Sequence, residues 1–201
     1  MADDTVLPIP NLALPQHLFV LTSKDQHTEA GLKLLEGIQA DRMLPFQFEG
    51  VTEIIGVEMA PYHKSKTSTF SVLSLDKALL ELLKKANEDE LEILDEQLAE
   101  AEKQEGESEI SDALKARANY LTRIGDKDRA VEDQKLALEK TSGLRSWIDI
   151  VLTLVRIGFF FGDHDLINAY VTKAEALIEE GGDWGRRNCL KVYNGLHLLS
   201  I

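Results

Sequence analysis

The feature that most constrains the fold is a Gly-Asp pair that separates two helical segments and recurs 37 residues later. Gly125-Asp126 and Gly162-Asp163 each lie between two stripes of apolar residues, and small alanines in the second helix of each pair allow close packing. This period is close to that of tetratricopeptide-type helical hairpins. Because one hairpin cannot bury its apolar stripe alone, the repeat predicts an all-α fold of hairpins stacked as a short α-solenoid.

Apolar residues at helical spacing continue beyond the repeat and predict that residues 110–199 are almost wholly helical. Gly143 is expected to end one helix as a left-handed cap, and Gly181-Gly182 to end another. A last helix is expected to begin near Trp184, and it is crowded with apolar residues. Since no partner helix follows it in the sequence, we expect this helix to have an uncovered apolar face. Either the solenoid is cut off at this point, or another element or protein docks on that face.

The negative charge of the chain is concentrated in one segment. The 201 residues include 22 Lys and Arg against 35 Asp and Glu, a net charge of −13, and the stretch from Asp76 to Asp112 holds 14 acidic residues against four basic ones. Leu91, Leu94 and Leu98 recur there at helical spacing, so we expect one or two amphipathic helices with a solvated acidic face rather than an acidic tail. The overall charge disfavours nucleic acid as a partner, because that binding needs Lys and Arg to neutralise phosphates.

The N-terminal region is less regular and is expected to be poorly ordered. Residues 1–15 contain three prolines and are expected to form a mobile arm. Residues 16–75 are expected to be an N-terminal helical segment, with one helix capped by Thr28 and an irregular insert at 43–58. Residues 76–201 are then expected to hold the acidic helix and the helical-repeat solenoid.

The sequence predicts no catalytic residue, no metal site and no cofactor. It lacks the common nucleotide-binding, serine-hydrolase and zinc-protease motifs, and its five histidines are scattered. No apolar run is long enough to cross a membrane, and the N-terminus does not have the pattern of a secretory signal. The single cysteine, Cys189, fits a reducing compartment. Nearby cations can make a thiol reactive, so a small thiol enzyme stays open beside the interpretation of Cys189 as a buried helical thiol.

Three features are candidates for contacts with a partner protein. Three consecutive phenylalanines on one helix point in three directions, so they cannot all face one core, and at least one is expected to pack against a neighbouring hairpin, the favoured interpretation, or against a partner. A pair of arginines forms a basic spot in an acidic chain, where it can cap a helix, pair with a carboxylate or bind an acidic surface. The last helix adds residues from its expected uncovered face. The candidate partner-binding residues are Phe159, Phe160, Phe161, Arg186, Arg187, Tyr193 and Leu196.

Several sequence blocks resemble those of one protein family and occur in the same order. They are MAPY at 59–62, KKANEDEL at 84–91, GESEI at 106–110, RIGDKD at 123–128 and IEEGGDW at 178–184. They are similar to the N-terminal helical-repeat region of the subunit-six family of 26S proteasome non-ATPase regulatory subunits. Members of this family belong to the lid and carry a PCI domain. The resemblance covers 76–199 well and 12–42 in part, whereas 43–58 looks like an insertion.

The resemblance implies a non-catalytic scaffold in the lid of the proteasome regulatory particle, acting in ubiquitin-dependent protein degradation through protein–protein contacts. It implies other lid and regulatory-particle subunits as partners, no nucleic acid, membrane or small-molecule substrate, and a cytoplasmic and nuclear location. Members of the family continue into a C-terminal PCI winged-helix domain, so we expect 76–201 to be truncated before it. A scaffold of a related PCI complex such as the COP9 signalosome and a small thiol enzyme using Cys189 stay as alternatives.

Overall fold

The computed structural model describes residues 8–20, 27–43 and 77–200, and each regular element in these ranges is an α-helix. The helices are α1 (Ala13–Val20), α2 (His27–Ala40), α3 (Lys77–Lys103), α4 (Glu107–Ile124), α5 (Lys127–Lys140), α6 (Leu144–Phe161), α7 (His164–Gly181) and α8 (Trp184–Ser200). The predicted all-α fold is confirmed, including the helical character of residues 110–199. Most of the region predicted to be poorly ordered, including the insert at 43–58 apart from Met43, lies outside the described residues.

Contacts divide the chain into two compact units. The first holds Asn11–Glu92 and Arg123–Gly125, and the second holds Met1–Pro10, Ile93–Thr122 and Asp126–Ile201. Each unit therefore has its own buried residues and is described separately below.

In the first unit, α1 and α2 pack against each other through the buried side chains of Leu14 and Leu34. Asn11 begins α1, because its Oδ1 accepts a hydrogen bond from the Ala13 N–H at 3.1 Å. The Asn11 side chain also donates to Asp41 Oδ2 at 3.1 Å, just beyond the end of α2. Residues 13–15, predicted as part of a mobile arm, therefore belong to a helix that is tied to its neighbour.

Most of the acidic segment forms one long helix, α3, and its last residues, Glu107 to Asp112, begin α4. Asn87, on its apolar stripe, is only 1% exposed. Its Nδ2 donates to the carbonyl oxygen of Arg42 at 2.8 Å. Arg42 has a φ of 50°, where the chain leaves α2. The polar residue that interrupts the stripe thus satisfies a backbone carbonyl near the end of another helix.

The predicted 37-residue repeat is present as two hairpins, α4 with α5 and α6 with α7. The turns are equivalent, because Gly125 and Gly162 have φ values of 77° and 65°. The next residues, Asp126 and Asp163, donate their N–H groups to carbonyls five residues earlier, at 3.1 and 2.8 Å. Their carboxylates then cap the second helix of each hairpin by accepting an N–H from three residues ahead. A left-handed glycine followed by an aspartate therefore ends one helix and starts the next.

The predicted role of Gly143 as a helix-ending cap is wrong. Helix α5 already ends at Lys140, and Gly143, with a φ of 104°, directly precedes α6. The turn is made at Thr141, whose hydroxyl lies 2.8 Å from that of Ser111. The carbonyl of Thr141 accepts a hydrogen bond from Trp147 Nε1 at 2.6 Å. Side chains from α4 and α6 therefore place the end of α5.

The glycine pair at 181–182 does mark the end of α7, as predicted, but its backbone is not left-handed. Gly182 has a φ of −69° and is extended. Asp183 caps α8, because its Oδ1 accepts the N–H of Arg186 at 2.9 Å. Gly182-Asp183 therefore shares the capping aspartate of the two earlier turns but not their left-handed glycine.

Helix α6 lies at the centre of the core of the second unit. Gly158 allows α7 to cross it closely, since an added Cβ would lie 2.6 Å from Cγ1 of Ile167. The core is formed by side chains of α6, α7 and α8: Ile148, Val151, Leu152, Val155, Ile167, Val171, Ala174, Ile178, Leu190 and Tyr193.

A polar layer joins α4 to α5. The buried Gln134 donates from Nε2 to Asn119 Oδ1 at 3.0 Å and to Thr122 Oγ1 at 3.2 Å. Next to it, Arg117 Nε pairs with Asp133 Oδ2 at 2.7 Å, and burial raises the pKa of Asp133. These directional contacts favour one register of the two helices over others.

One ion pair joins the two equivalent turns. Lys127 Nζ, in the first turn of α5, lies 2.8 Å from Oδ2 of Asp163, which caps α7. The hydrogen bond from Lys127 lowers the pKa of Asp163, and the backbone N–H of Leu166 lowers it further. The ammonium group also lies 5.8 Å from the centre of the Phe161 ring.

We expect Gly162→Val to lower the free energy of unfolding by about 1–2 kcal/mol, because an L-residue is strained at a left-handed φ. The space around the site is open, with no atom within 4 Å of an added Cβ, so strain alone causes the loss. Urea denaturation followed by far-UV circular dichroism measures it. Gly195→Ala is the control, because Gly195 is helical and equally open, and alanine there should stabilise the chain slightly. Equal stability of Gly162→Val and the wild type would contradict this account of the turn.

We expect Asp163→Asn to lower stability at pH 7 and to lower it progressively less as the pH falls below the unfolded-state pKa of the carboxyl. Asn still caps the helix, whereas only the carboxylate pairs with Lys127. Because the folded-state pKa of Asp163 lies below its unfolded value, the carboxylate stabilises the fold above the unfolded pKa. This contribution is lost as the pH falls through the folded-state pKa. Urea denaturation at a series of pH values from 7 downwards tests this, and a difference between variant and wild type that does not shrink as the pH falls would count against it.

Candidate functional site

The described residues contain no group of three or more His, Cys, Asp or Glu side chains that could hold a metal ion. Within the same ranges, none of the helices is both long and apolar enough to cross a lipid bilayer. Cys189 is half-buried and packs against the core of the second unit. In this position the Cys189 side chain contributes to the packing of α8 against the core.

The three candidate phenylalanines differ in their surroundings, at the end of α6. Phe159 packs against the core, and its ring centre lies 5.8 Å from that of Tyr193. Phe160 and Phe161 contact each other edge to face, with ring centres 5.0 Å apart. All three are half-buried. Phe160 and Phe161 thus leave part of an aromatic pair open to solvent.

The two candidate arginines have opposite environments. Arg186 is 3% exposed, and its guanidinium forms two hydrogen bonds of 2.6 Å with the carboxylate of Asp149 on α6. It also pairs with Asp183, and these carboxylates, Asp149 first, raise the pKa of Arg186. Arg187 is exposed, and its Nη2 lies 3.4 Å from the carbonyl of Gly182. The structure therefore uses Arg186 to attach α8 to α6 and leaves Arg187 at the surface.

Tyr193 is buried at 6% exposure and lies at a second attachment of α8 to α6. Its hydroxyl accepts a hydrogen bond of 2.9 Å from Nη1 of Arg156. Burial, together with the neighbouring Cys189, raises the pKa of Tyr193 to about 12. Like Arg186, Tyr193 contacts its own chain.

Leu196 belongs to an exposed apolar face of α8, turned away from the core. Sequence reasoning did not select Trp184 for this face, although it is 82% exposed. The spacing of Trp184, Val192 and Leu199, eight and then seven residues, could have revealed it, because such residues share one side of a helix. The exposed apolar residues of α8, from 48% to 86% exposed, are Trp184, Val192, Leu196, Leu198 and Leu199.

The charge of α8 differs from that of the rest of the chain. Its sequence, WGRRNCLKVYNGLHLLS, contains no Asp or Glu but three Lys and Arg. Since Arg186 is paired internally, Arg187 and Lys191 are its exposed cations. The α8 surface, defined as Trp184, Val192, Leu196, Leu198 and Leu199 with these two cations, is therefore apolar with a basic edge.

A separate groove of about 1040 Å³ lies along α4, between the ends of α3 and α5. Its apolar side chains include Leu98, Leu114 and Leu136. Its charged side chains are of both signs, among them Glu102 and Lys115. The mixture gives no preference for a ligand of either charge.

Comparison with known proteins gives a consistent result. The sequence model of the family "26S proteasome subunit RPN7" matches residues 76–201. A 26S proteasome non-ATPase regulatory subunit 6 homolog of Arabidopsis thaliana is 40% identical over 95% of this chain and 46% of its own length. The corresponding subunit 6 of Dictyostelium discoideum is 36% identical over 99% of this chain and 48% of its own length. The 26S proteasome regulatory subunit RPN7 of Saccharomyces cerevisiae is 31% identical over 99% and 48%. The chain spans about half the length of these curated relatives.

We expect Arg186→Met to lower the free energy of unfolding by about 2–4 kcal/mol, because it leaves the carboxylates of Asp149 and Asp183 without their buried partner. Arg187→Met is the matched control, since it removes the same charge from the neighbouring exposed position and should change stability by less than about 0.5 kcal/mol. Urea denaturation at pH 7 compares the two. Similar losses for both variants would show that the assignment of the two arginines is wrong.

Proposed function

Because the chain belongs to the RPN7 family of 26S proteasome subunits, we propose that it acts as a non-catalytic scaffold in the lid of the proteasome regulatory particle. In this proposal it serves ubiquitin-dependent protein degradation through contacts with other lid and regulatory-particle subunits. Its place of action is then the cytoplasm and the nucleus. The proposal concerns residues 76–201 above all, where the family match and the helical hairpins coincide.

The use of polar side chains inside the second unit supports a scaffold. Arg186, Arg156 and Gln134 each bind other parts of the same chain. Such contacts fix the register and spacing of helices, which a scaffold needs to present its surfaces in a constant arrangement. The chemistry that they provide is recognition and support rather than bond making.

The observation that carries the proposal is the α8 surface. Large apolar side chains at high exposure, next to a basic edge in an acidic protein, are typical of a protein–protein contact. Among the candidate residues, we assign Leu196 and Arg187 to this contact. Phe160 and Phe161 are assigned to a second contact at the end of α6. Arg186 and Tyr193 are instead assigned to holding α8 in place.

The partner surface that fits α8 has an apolar centre and acidic residues at its edge. Trp184 and Leu199 supply large side chains of the kind that dominate binding energy when a partner covers them. Arg187 and Lys191 gain from nearby carboxylates, which also steer the encounter. The proposal therefore expects a regulatory-particle subunit to present carboxylates at the edge of its contact with α8.

Affinity purification from the cells that make the protein tests the function. The tagged chain should recover lid and regulatory-particle subunits, which mass spectrometry identifies. Leu196→Asp should reduce their recovery about fivefold or more, because it places a charge in the apolar part of the contact. Leu82→Asp on α3 is the matched control, since Leu82 is also an exposed helical leucine, and recovery should be unchanged.

Two outcomes would contradict the proposal in different ways. If the tagged wild-type chain recovers no proteasome subunit, the function is wrong. If Leu196→Asp and Leu82→Asp behave alike while the wild type recovers the lid, the function stands and the assignment of the α8 surface is wrong.

A further inference from the structure

Arg156 connects two parts of the second unit that are far apart in sequence. Its side chain extends from α6, and its Nε donates to the carbonyl of Ile9 at 2.9 Å. Its Nη2 donates to the carbonyl of Pro10, also at 2.9 Å. Its third nitrogen, Nη1, donates to the hydroxyl of Tyr193 on α8 at 2.9 Å. One planar guanidinium thus binds the N-terminal segment with two nitrogens and the last helix with the third.

We propose that residues 8–10 form a strap, and that Arg156 is the positioning residue through which this strap controls how firmly α8 is held against α6. The strap is a short segment whose two consecutive carbonyls, of Ile9 and Pro10, both accept from the guanidinium. Pro10 is buried in this position. When the strap is in place, the Arg156 side chain is fixed and Nη1 is held towards Tyr193.

The residue types suit this arrangement. A guanidinium is planar and donates in fixed directions, so binding two carbonyls with one side of the group fixes the direction of the other side. A lysine would offer a single ammonium and could not do this. A tyrosine hydroxyl is protonated at neutral pH and keeps lone pairs free, so the Tyr193 hydroxyl can accept from Arg156.

The position of Tyr193 explains why α8 is sensitive to the strap. Near its start, α8 is attached to α6 through Arg186 and Asp149. Tyr193 is the next polar attachment of α8 to α6 among the described contacts. Beyond it, His197 contacts Asn168 of α7 at 2.7 Å. Loss of the Arg156 contact should therefore loosen the second half of α8 more than the first.

A consequence for binding follows, which rests on the proposed function. Leu196 and Leu199 of the α8 surface lie in the half of α8 that the strap holds. A segment of a partner that displaced residues 8–10 would change the order of this surface. Through its hold on α8, the strap would control how ordered the α8 surface is when a partner binds.

Hydrogen exchange of the full-length chain, measured by mass spectrometry, tests the strap. The variants are Arg156→Gln, Pro10→Gly, which weakens the strap without touching Arg156, and the double variant. We expect amides of residues 190–200 to exchange about tenfold faster in Arg156→Gln, and faster also in Pro10→Gly. The double variant should exchange no faster than Arg156→Gln alone, because both changes break the same connection. Amides of residues 9–12 should also exchange faster in Arg156→Gln.

The matched control is Arg129→Gln, since Arg129 is an exposed arginine whose ion pair is with Asp126 in its own turn. It should leave both regions unchanged. Tyr193→Phe separates the two sides of the guanidinium, and should speed exchange in 190–200 while leaving 9–12 as in the wild type. If Arg156→Gln does not fold, Arg156→Lys takes its place with the same expected pattern.

Two results would overturn the proposal. One is faster exchange of residues 190–200 in Arg156→Gln with no change in Pro10→Gly, which would make Arg156 a support for Tyr193 alone. The other is a double variant whose effect is the product of the single effects, which would show that the strap and Arg156 act independently. Because the measurement uses the chain without any partner, its outcome does not depend on whether the proposed function is correct.

Discussion

The second unit depends on one constraint, which is that α6 must be covered on nearly every side. From Ile150 to Val155, six consecutive residues of this helix are buried, so no side of it can face water. Each large apolar side chain removed from water contributes about 1.5–3 kcal/mol, so the helix gains much from neighbours and is costly to expose. Helices α5, α7 and α8 each contact it. A hairpin of α6 and α7 alone would leave it partly bare, and the stacking of hairpins follows from that need.

Much of this arrangement could be predicted from the sequence, because its signals are local. A glycine at positive φ followed by a capping aspartate is a property of a few consecutive residues, so the turns at Gly162 and Gly125 could be located without knowing any neighbour. The end of α5 could not, because Thr141 is held by Ser111 from α4 and Trp147 from α6. Gly143 is the stronger local signal for the end of α5, but contacts between helices place that end at Lys140.

In the candidate site, too, features that depend on local sequence could be predicted, whereas features that depend on contacts between helices could not. The sequence indicates that the last helix is rich in apolar residues, but it does not tell which of two adjacent arginines turns inward. Arg186 is buried because Asp149, 37 residues earlier, lies opposite it on α6, which is a fact of the assembled unit. Trp184 was overlooked for a related reason, since a large aromatic residue is expected to be buried unless the geometry of its helix places it outside. Buried polar residues such as Gln134 and Asn87 also look like surface positions until their partners are known.

The contact between Arg156 and Ile9 spans 147 residues of sequence, whereas the hairpins are built from near neighbours. Closing so long a loop costs conformational entropy that only a nearly finished structure can offset. The hairpins can therefore form early, and residues 8–10 can dock only after α6 and α8 exist. During synthesis, residues 8–10 leave the ribosome well before α6 and α8 do, and they are thus among the last residues to find their place. Over that interval they are open to any other protein that binds a short, proline-containing segment.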